Sequence, residues 1–406
     1  MEDPSRARVT GPLQAYAAGF VAELARLGYT TQSACGQMFL MAHLSRWLAC
    51  EGLDAGALTP ETAERFLAAR RAAGYRLYRS PKALAPLLGF LRRTGVAPEA
   101  PPPVPPGLVD GLLGCYRHYL VTERGLSPET AADYAAKVRP FLSARLEEAG
   151  AGGLAGVTAA GVTAFIVETC PQMRKGTAKL TVTALRSLLG WLHLAGETPA
   201  PLAWAVPAVA SWRLAALPAP LEPGQVGAML GGCDTGTAAG LRDLAMLTLL
   251  ARLGLRAGEV AGLTLDDMDW RAGEITVTGK GRRSERLPLP ADVGEAVAAW
   301  LRDGRPEPFE GARHVFLRVR APHRRLTSTG VSQAVLAAGQ RAGIEGVFAH
   351  RLRHSAATGM LRSGASLPEV GQVLRHRRLL STAIYAKTDV PSLRALARPW
   401  PSGGAA

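Results

Sequence analysis

The sequence lacks the residues from which metal centres and disulfide frameworks are built. Its five cysteines (Cys35, Cys50, Cys115, Cys170, Cys233) lie far apart, form no CxxC pair and have no histidine at ligand spacing. That pattern excludes a zinc site or a disulfide scaffold and reads as reduced thiols of an intracellular protein. No stretch approaches the roughly 18 unbroken apolar residues that a membrane-crossing helix requires, and the opening MEDPSRARVTGP holds no apolar signal core. The expectation is a cytoplasmic protein with no membrane partner. Also missing are a paired-carboxylate motif, a Walker phosphate loop and a serine or cysteine nucleophile motif. Lysine is scarce, with 6 residues against 41 arginines, so a single lysine within a motif stands out. Tyrosine is scarcer still in the later chain. Seven of the eight lie at or before Tyr134, and Tyr385 stands alone in the rest.

What is present is length, apolar residues and positive charge. At 406 residues the chain exceeds one ordinary domain, and 48% hydrophobic with 20% charged residues suits a globular protein with a full core. The formal net charge of +14 points to an anionic partner, most simply nucleic acid. Abundant Ala, Gly and Pro beside so much Arg also fits a GC-rich coding bias, which inflates arginine whatever the function. The distribution helps a little: residues 222–406 hold 25 basic and 17 acidic side chains, the largest excess in the chain.

In chain order, residues 13–95 carry helical apolar periodicity, and LTPETAERFL (58–67) has a Thr cap followed by Pro and Glu, a helix-entry pattern. The tract 97–107, APEAPPPVPPG, is too rich in proline for helix and reads as a stiff extended linker. Beyond it the pattern repeats. The Leu-Leu-Gly-aromatic run at 87–90 recurs at 188–191. Two tandem four-helix modules are expected, 1–96 and 108–200, although Leu/Ala helices also look alike by chance. In the second module Arg174, Lys175 and Lys179 gather at a helix start, facing either phosphates or water. A second proline-rich linker covers 201–216, a new unit runs from 217 to 401, and 402–406 is a tail. In that unit GLRDLAMLTLLARLGL is a strongly apolar helix, GEITVTGKGRRSERLPLP alternates like a hairpin or three short strands, and the remainder is helical. The expected fold class is mainly α with a small antiparallel β-sheet.

The residues that carry chemistry fall in this last unit. In HRLRH (350–354) the i, i+3, i+4 spacing puts His350, Arg353 and His354 on one helix face, among small and apolar neighbours. A buried cluster of Arg and His is costly unless an anion neutralises it. Arg256 lies in the turn of GLRAGE, Lys280 at the tip of TGKGRR, and His376 nine residues before Tyr385 in LRHRRLLSTAIY. Arginines, a lysine and histidines together are what a phosphodiester needs without a metal. Guanidinium forks hold the non-bridging oxygens and match the added charge of a pentavalent transition state. A neighbouring tyrosine supplies a covalent nucleophile. Each residue alone has an ordinary explanation, as a solvated Arg, an exposed hairpin Lys or a helix-capping His. The joint arrangement is what those explanations fit poorly.

The motifs GLRAGEVAGLTLDDMDW, the Lys of VTGKGRR, HRLRH and the LxH…Tyr segment resemble the catalytic domain of the tyrosine recombinase (phage integrase) family over residues 217–401. Residues 108–200 resemble, in pattern more than in motif, that family's SAM-like core-binding domain, which clamps the other face of the duplex. Residues 1–96 are an addition that resembles a further core-binding-like module. The resemblance implies a site-specific DNA recombinase or integrase of a mobile genetic element. It would cut and rejoin duplex DNA through a 3′-phosphotyrosyl intermediate, with no metal and no cofactor. It also implies that Tyr385 attacks the scissile phosphate, that Arg256, Arg353 and His376 hold its oxygens, and that Lys280 protonates the leaving 5′ oxygen. His350 would act in proton transfer. Glu259 resembles the family's supporting acid, and a plain salt bridge accounts for it equally well. Arg282, Arg283 and Arg375 join Arg174, Lys175 and Lys179 as expected DNA contacts. One departure stands out. Arg375 occupies the place of a family glycine, giving LRH for LGH, which narrows the backbone's approach or adds a phosphate contact.

The implied partner is double-stranded DNA held in a C-shaped clamp, with monomers in free solution assembling into a tetramer on synapsed sites. Partner recombinases or DNA-bending proteins are further expected partners, and a bacterial or phage nucleoid is the expected location. The amphipathic SLRALA of the C-terminal tail is a candidate for docking on a neighbour. Three readings compete: a related topoisomerase or hairpin-forming resolvase, a catalytically weak or inactive DNA-binding accessory protein of the same fold, and a helical scaffold that is basic only through coding bias.

Overall fold

The structure, a computed structural model, describes residues 7–99, 107–149, 154–210, 220–279 and 283–376, together with Thr382, Ile384 and Tyr385. The expectations for Lys280, Arg282 and the SLRALA segment lie outside the described residues. By compactness the chain divides into two units, Met1–Ala100 with Ala216–Ala406, and Pro101–Ala215.

The described residues of the first hundred include the α-helices α1 (Ala17–Arg26), α2 (Thr31–Cys50), α3 (Pro60–Ala72) and α4 (Pro81–Arg93). Thr30 and Thr59 cap α2 and α3, each accepting a backbone N–H three residues on, and Pro60 opens α3 where a missing N–H costs nothing. Phe20, Leu24, Met41, Phe66, Leu87 and Leu91 fill a core of their own. This helical group nevertheless belongs to the same compact unit as residues 216–406. Gly28 shows the closeness: at φ +78°, a Cβ there would lie 2.6 Å from the His323 imidazole.

The described residues of the unit Pro101–Ala215 include the α-helices α5 (Leu108–Thr122), α6 (Pro128–Ala149), α7 (Ala159–Thr169) and α8 (Lys175–Leu194). Tyr116, Phe141, Val162, Leu185 and Leu188 are buried at its centre. The repeated Leu-Leu-Gly-aromatic run faces the core in both helical groups, through Leu87 and Leu88 in one and Leu188 and Leu189 in the other.

Residues beyond 220 contribute α9 (Pro223–Gly231), α10 (Ala238–Arg252), α11 (Ala257–Gly262), β1 (Met268–Asp269), β2 (Glu274–Thr278), β3 (Ser284–Pro288), α12 (Ala291–Ala299), α13 (Ser328–Arg341), α14 (Ala349–Arg362) and α15 (Leu367–Val373). The strands pair antiparallel in the order β1-β2-β3. Alternation along β2 turns Ile275 and Val277 inward, as period-two sequence requires. α10 is the spine: Ala245, Met246, Leu249 and Leu250 are fully buried, and α12, α13 and α14 pack on it. The fold is mainly α with a small antiparallel sheet. A satellite cluster of Ala357, Val370, Leu374 and Tyr385 sits at the end of α14 and α15, and it seats the lone late tyrosine.

Candidate active site

The site starts from a glycine. Gly254 ends α10 with φ +58°, a left-handed conformation that favours glycine, and a Cβ there would lie 2.6 Å from Leu374 Cδ2. That close approach leaves the Gly254 carbonyl facing Arg353, whose Nη1 donates to it at 2.5 Å. Arg353 Nη2 donates to the Leu374 carbonyl. The guanidinium therefore ties the end of α10 to the end of α15 with its side chain 1% exposed. Burial foremost, and the nearby charge of Arg256, lower its pKa to about 10, while Glu259 opposes the shift. It stays a cation at neutral pH.

Arg256 is the N-cap of α11. Its backbone N–H donates to Glu259 Oε2 at 2.8 Å and its Nη1 to Oε1 at 2.6 Å. Glu259 in turn receives Arg375 Nη2 on Oε2 at 2.7 Å. Burial alone would push the Glu259 carboxyl up. The Arg256 N–H and the charges of Arg375 and Arg256 outweigh it and hold the group below its usual range. An ionised carboxylate thus orients two guanidinia. Arg256 keeps 41% of its side chain in solvent and is the more accessible of the two.

Arg375 itself has φ +54°, in the region glycine favours, which explains why an arginine here is unusual. Its side chain is 4% exposed and turned inward onto Glu259 and the Val373 carbonyl. The expected phosphate contact would need it at the surface; the structure places it behind the site instead.

Three histidines and the tyrosine complete the cluster. His350 and His354, one turn apart on α14, meet edge to face with centroids 4.3 Å apart. His354 Nδ1 lies 2.9 Å from Tyr385 Oη. His376 lies with its ring parallel to that of Tyr385, centroids 6.2 Å apart, and its Nδ1 meets Thr382 Oγ1 at 2.8 Å. Burial first, then Arg353 and Arg256, depress His376 to about 4. Burial, His350 and Arg353 do the same to His354. Burial and the same arginines also lower His350. All three are neutral at physiological pH. Tyr385 is 1% exposed, and burial raises its phenol above the ordinary value, against the pull of Arg353 and Arg256.

The structure thus brings Arg256, His350, Arg353, His376, Tyr385 and Glu259 together. Lys280 is not described, but Gly279 before it is close: a Cβ there would lie 3.7 Å from Glu259 Oε1. Arg283 is exposed, its carbonyl accepting the Gly279 N–H at the hairpin neck. Arg174, Lys175 and Lys179 are exposed at the start of α8, in the other unit. His354, which meets the tyrosine, was given no role from the sequence, where it figured only as the last residue of the HRLRH motif on one helix face with His350 and Arg353.

The model of the phage integrase family matches residues 220–390. An integrase/recombinase of Sinorhizobium fredii is 40% identical, over 96% of this chain and 95% of the relative. The tyrosine recombinase XerD of Mycobacterium tuberculosis is 35% identical, over 69% of this chain and 93% of the relative. Among solved structures, the XerH site-specific recombinase in its post-cleavage complex with palindromic difH substrate superposes with TM-score 0.52 at 17% identity, covering 98% of both chains. At that identity the likeness speaks for the fold alone.

Proposed function

The chain belongs to the phage integrase family of tyrosine recombinases, and on that premise we propose that Tyr385 is the nucleophile of its DNA-breaking and rejoining reaction. One observation carries this reading: the only tyrosine after Tyr134 meets His354 through its Oη and lies parallel to His376, in one cluster with the buried Arg353 and with Arg256 on the Glu259 carboxylate. Arg256 and Arg353 supply fixed positive charge for the non-bridging oxygens of the scissile phosphate, with His376 donating to the same group. Glu259 orients Arg256 and pairs with Arg375 behind it. Lys280 protonates the leaving 5′ oxygen, a role that fits the position of Gly279 next to Glu259. His350 supports proton transfer. Attack by Tyr385 makes a 3′-phosphotyrosyl bond and frees a 5′-hydroxyl. The reverse attack by a partner strand's 5′-hydroxyl completes exchange, so bond energy is conserved and no external energy source is needed.

The exposed Arg174, Lys175, Lys179 and Arg283 extend the DNA contact along the phosphate backbone, with Arg282 beside the last. The protein acts as a tetramer on synapsed duplex sites at the nucleoid, assembled from monomers, for a mobile element. The residues 1–96, 108–200 and 217–401 serve as extra module, core-binding module and catalytic domain. The direct test is to digest a trapped protein–DNA complex with nuclease and protease and map the nucleotide adduct by mass spectrometry. The adduct is expected on the peptide containing Tyr385; an adduct on any other side chain overturns the assignment.

A further inference from the structure

A nucleophilic tyrosine must lose a proton, and the phenol here is buried and harder to ionise than a free one. We propose that His354 is the catalytic base for Tyr385, and that a DNA phosphate seated beside Arg353 strengthens it. The inference rests on Tyr385 being the nucleophile, as argued above.

The geometry singles out His354. Its Nδ1 is 2.9 Å from Tyr385 Oη, within the reach a general base needs. His376 has its own Nδ1 engaged by Thr382 Oγ1. His350 packs edge to face on His354, on the same helix. Among the described residues, the charged and titratable groups that bear on His354 are His350 and Arg353 from its own helix and Tyr385, whose ring also lies parallel to that of His376. Glu259, the acid of this cluster, is already bound by Arg256 and Arg375.

This environment makes an imidazolium costly, first because the ring is buried and then because His350 and the Arg353 cation lie beside it. A phosphodiester seated on Arg256 and Arg353 offsets the arginine part of that cost. The base is then strengthened by the substrate it serves, and Tyr385 stays protonated away from DNA. The step balances. The Oη–H proton passes to His354 Nδ1, and the electron pair left on Oη forms the bond to phosphorus. The P–O5′ bond breaks, and the 5′ oxygen takes its proton from the acid assigned to Lys280. In religation the proton returns from His354 to Tyr385 Oη.

The test uses the full chain on a nicked substrate that traps the covalent complex. His354→Asn keeps an acceptor near the Nδ1 position and removes basicity. It should slow covalent capture by about 100-fold, the lower range for loss of a general base, with DNA affinity and thermal midpoint held. Replacing Tyr385 with 3,5-difluorotyrosine, a more acidic phenol, should restore most of that loss in the His354→Asn background and none of it in His376→Asn. A wild-type rate for His354→Asn, or no rescue by fluorination, overturns the proposal. Should His354→Asn fold poorly, the unaltered His354 background still decides. The acid limb of its pH–rate profile must stay in place when Tyr385 is fluorinated, because it belongs to an imidazole. A limb that moves with phenol acidity overturns the proposal. Covalent capture by Tyr385→Phe would instead refute the nucleophile assignment, a separate failure.

Discussion

Arg375 Nη2 donates to Glu259 Oε2 at 2.7 Å, and neither side chain is more than 5% exposed. Through this pair a residue in a left-handed backbone conformation braces the carboxylate that orients Arg256. Arg375→Ala should destabilise the fold by about 3 kcal/mol, the low end for breaking a buried ion pair, since Arg256 remains on the carboxylate. Arg375→Gly should lose about 1 kcal/mol less, because glycine takes the positive φ without strain. Urea denaturation of the three proteins checks the order. An unchanged midpoint in Arg375→Ala would remove the brace from the account.

The two site arginines should separate in stability while agreeing in catalysis. Arg353 is buried and ties Gly254 to Leu374 through carbonyls 99 and 21 residues distant, so Arg353→Ala orphans both. A cost of about 3 kcal/mol is expected for it, against about 1 kcal/mol for the half-exposed Arg256. Covalent capture should fall by about 100-fold or more in each, as for loss of one preorganised donor to the transition state. Equal denaturation midpoints for Arg256→Ala and Arg353→Ala would contradict the structural role of Arg353.

Gly254→Ala isolates the turn. Its φ of +58° and the 2.6 Å approach to Leu374 make any Cβ unfavourable, by about 1–2 kcal/mol from backbone conformation alone. Because the carbonyl of residue 254 holds Arg353, capture rate should drop together with stability. A full rate at reduced stability would mean that the guanidinium keeps its place without the turn.

Much of this site was legible in the sequence. The i, i+3, i+4 pattern of HRLRH placed His350, Arg353 and His354 on one face, and the structure has all three on α14. The strand–turn–strand reading of GEITVTGKGRRSERLPLP is met by β2 and β3, paired from Glu274↔Pro288 to Thr278↔Ser284. Periodicity exposes such features because they are local. What it could not expose depends on distant partners. Nothing in LRH reveals that Arg375 turns inward to Glu259, 116 residues earlier, instead of outward to a phosphate. Nor does the spacing of two histidines say which one meets the tyrosine. The compact grouping of residues 1–100 with 216–406 is equally non-local, since each helical group carries its own apolar core.

The histidines also predict an acid-sensitive fold. His354 and His376 have pKa values of about 4 in the folded protein, below the ordinary 6.5. The unfolded chain therefore binds protons that the folded one refuses, so stability is full above about pH 6.5 and declines as the pH falls towards 4. The urea midpoint should fall between pH 7.5 and pH 5, and His354→Asn or His376→Asn should shrink that fall. A variant with the same pH slope as the wild type would show that its histidine is not held neutral.

The measurement closest to the central claim is covalent capture on a nicked DNA carrying the candidate recombination ends that flank the gene, with EDTA present. A denaturing gel should show a protein–DNA band with the wild-type chain and none with Tyr385→Phe, while both proteins shift the same duplex in a binding gel. Binding without any band on cognate DNA would contradict the account and leave an accessory DNA-binding protein of this fold; a band that survives in Tyr385→Phe would contradict the nucleophile itself.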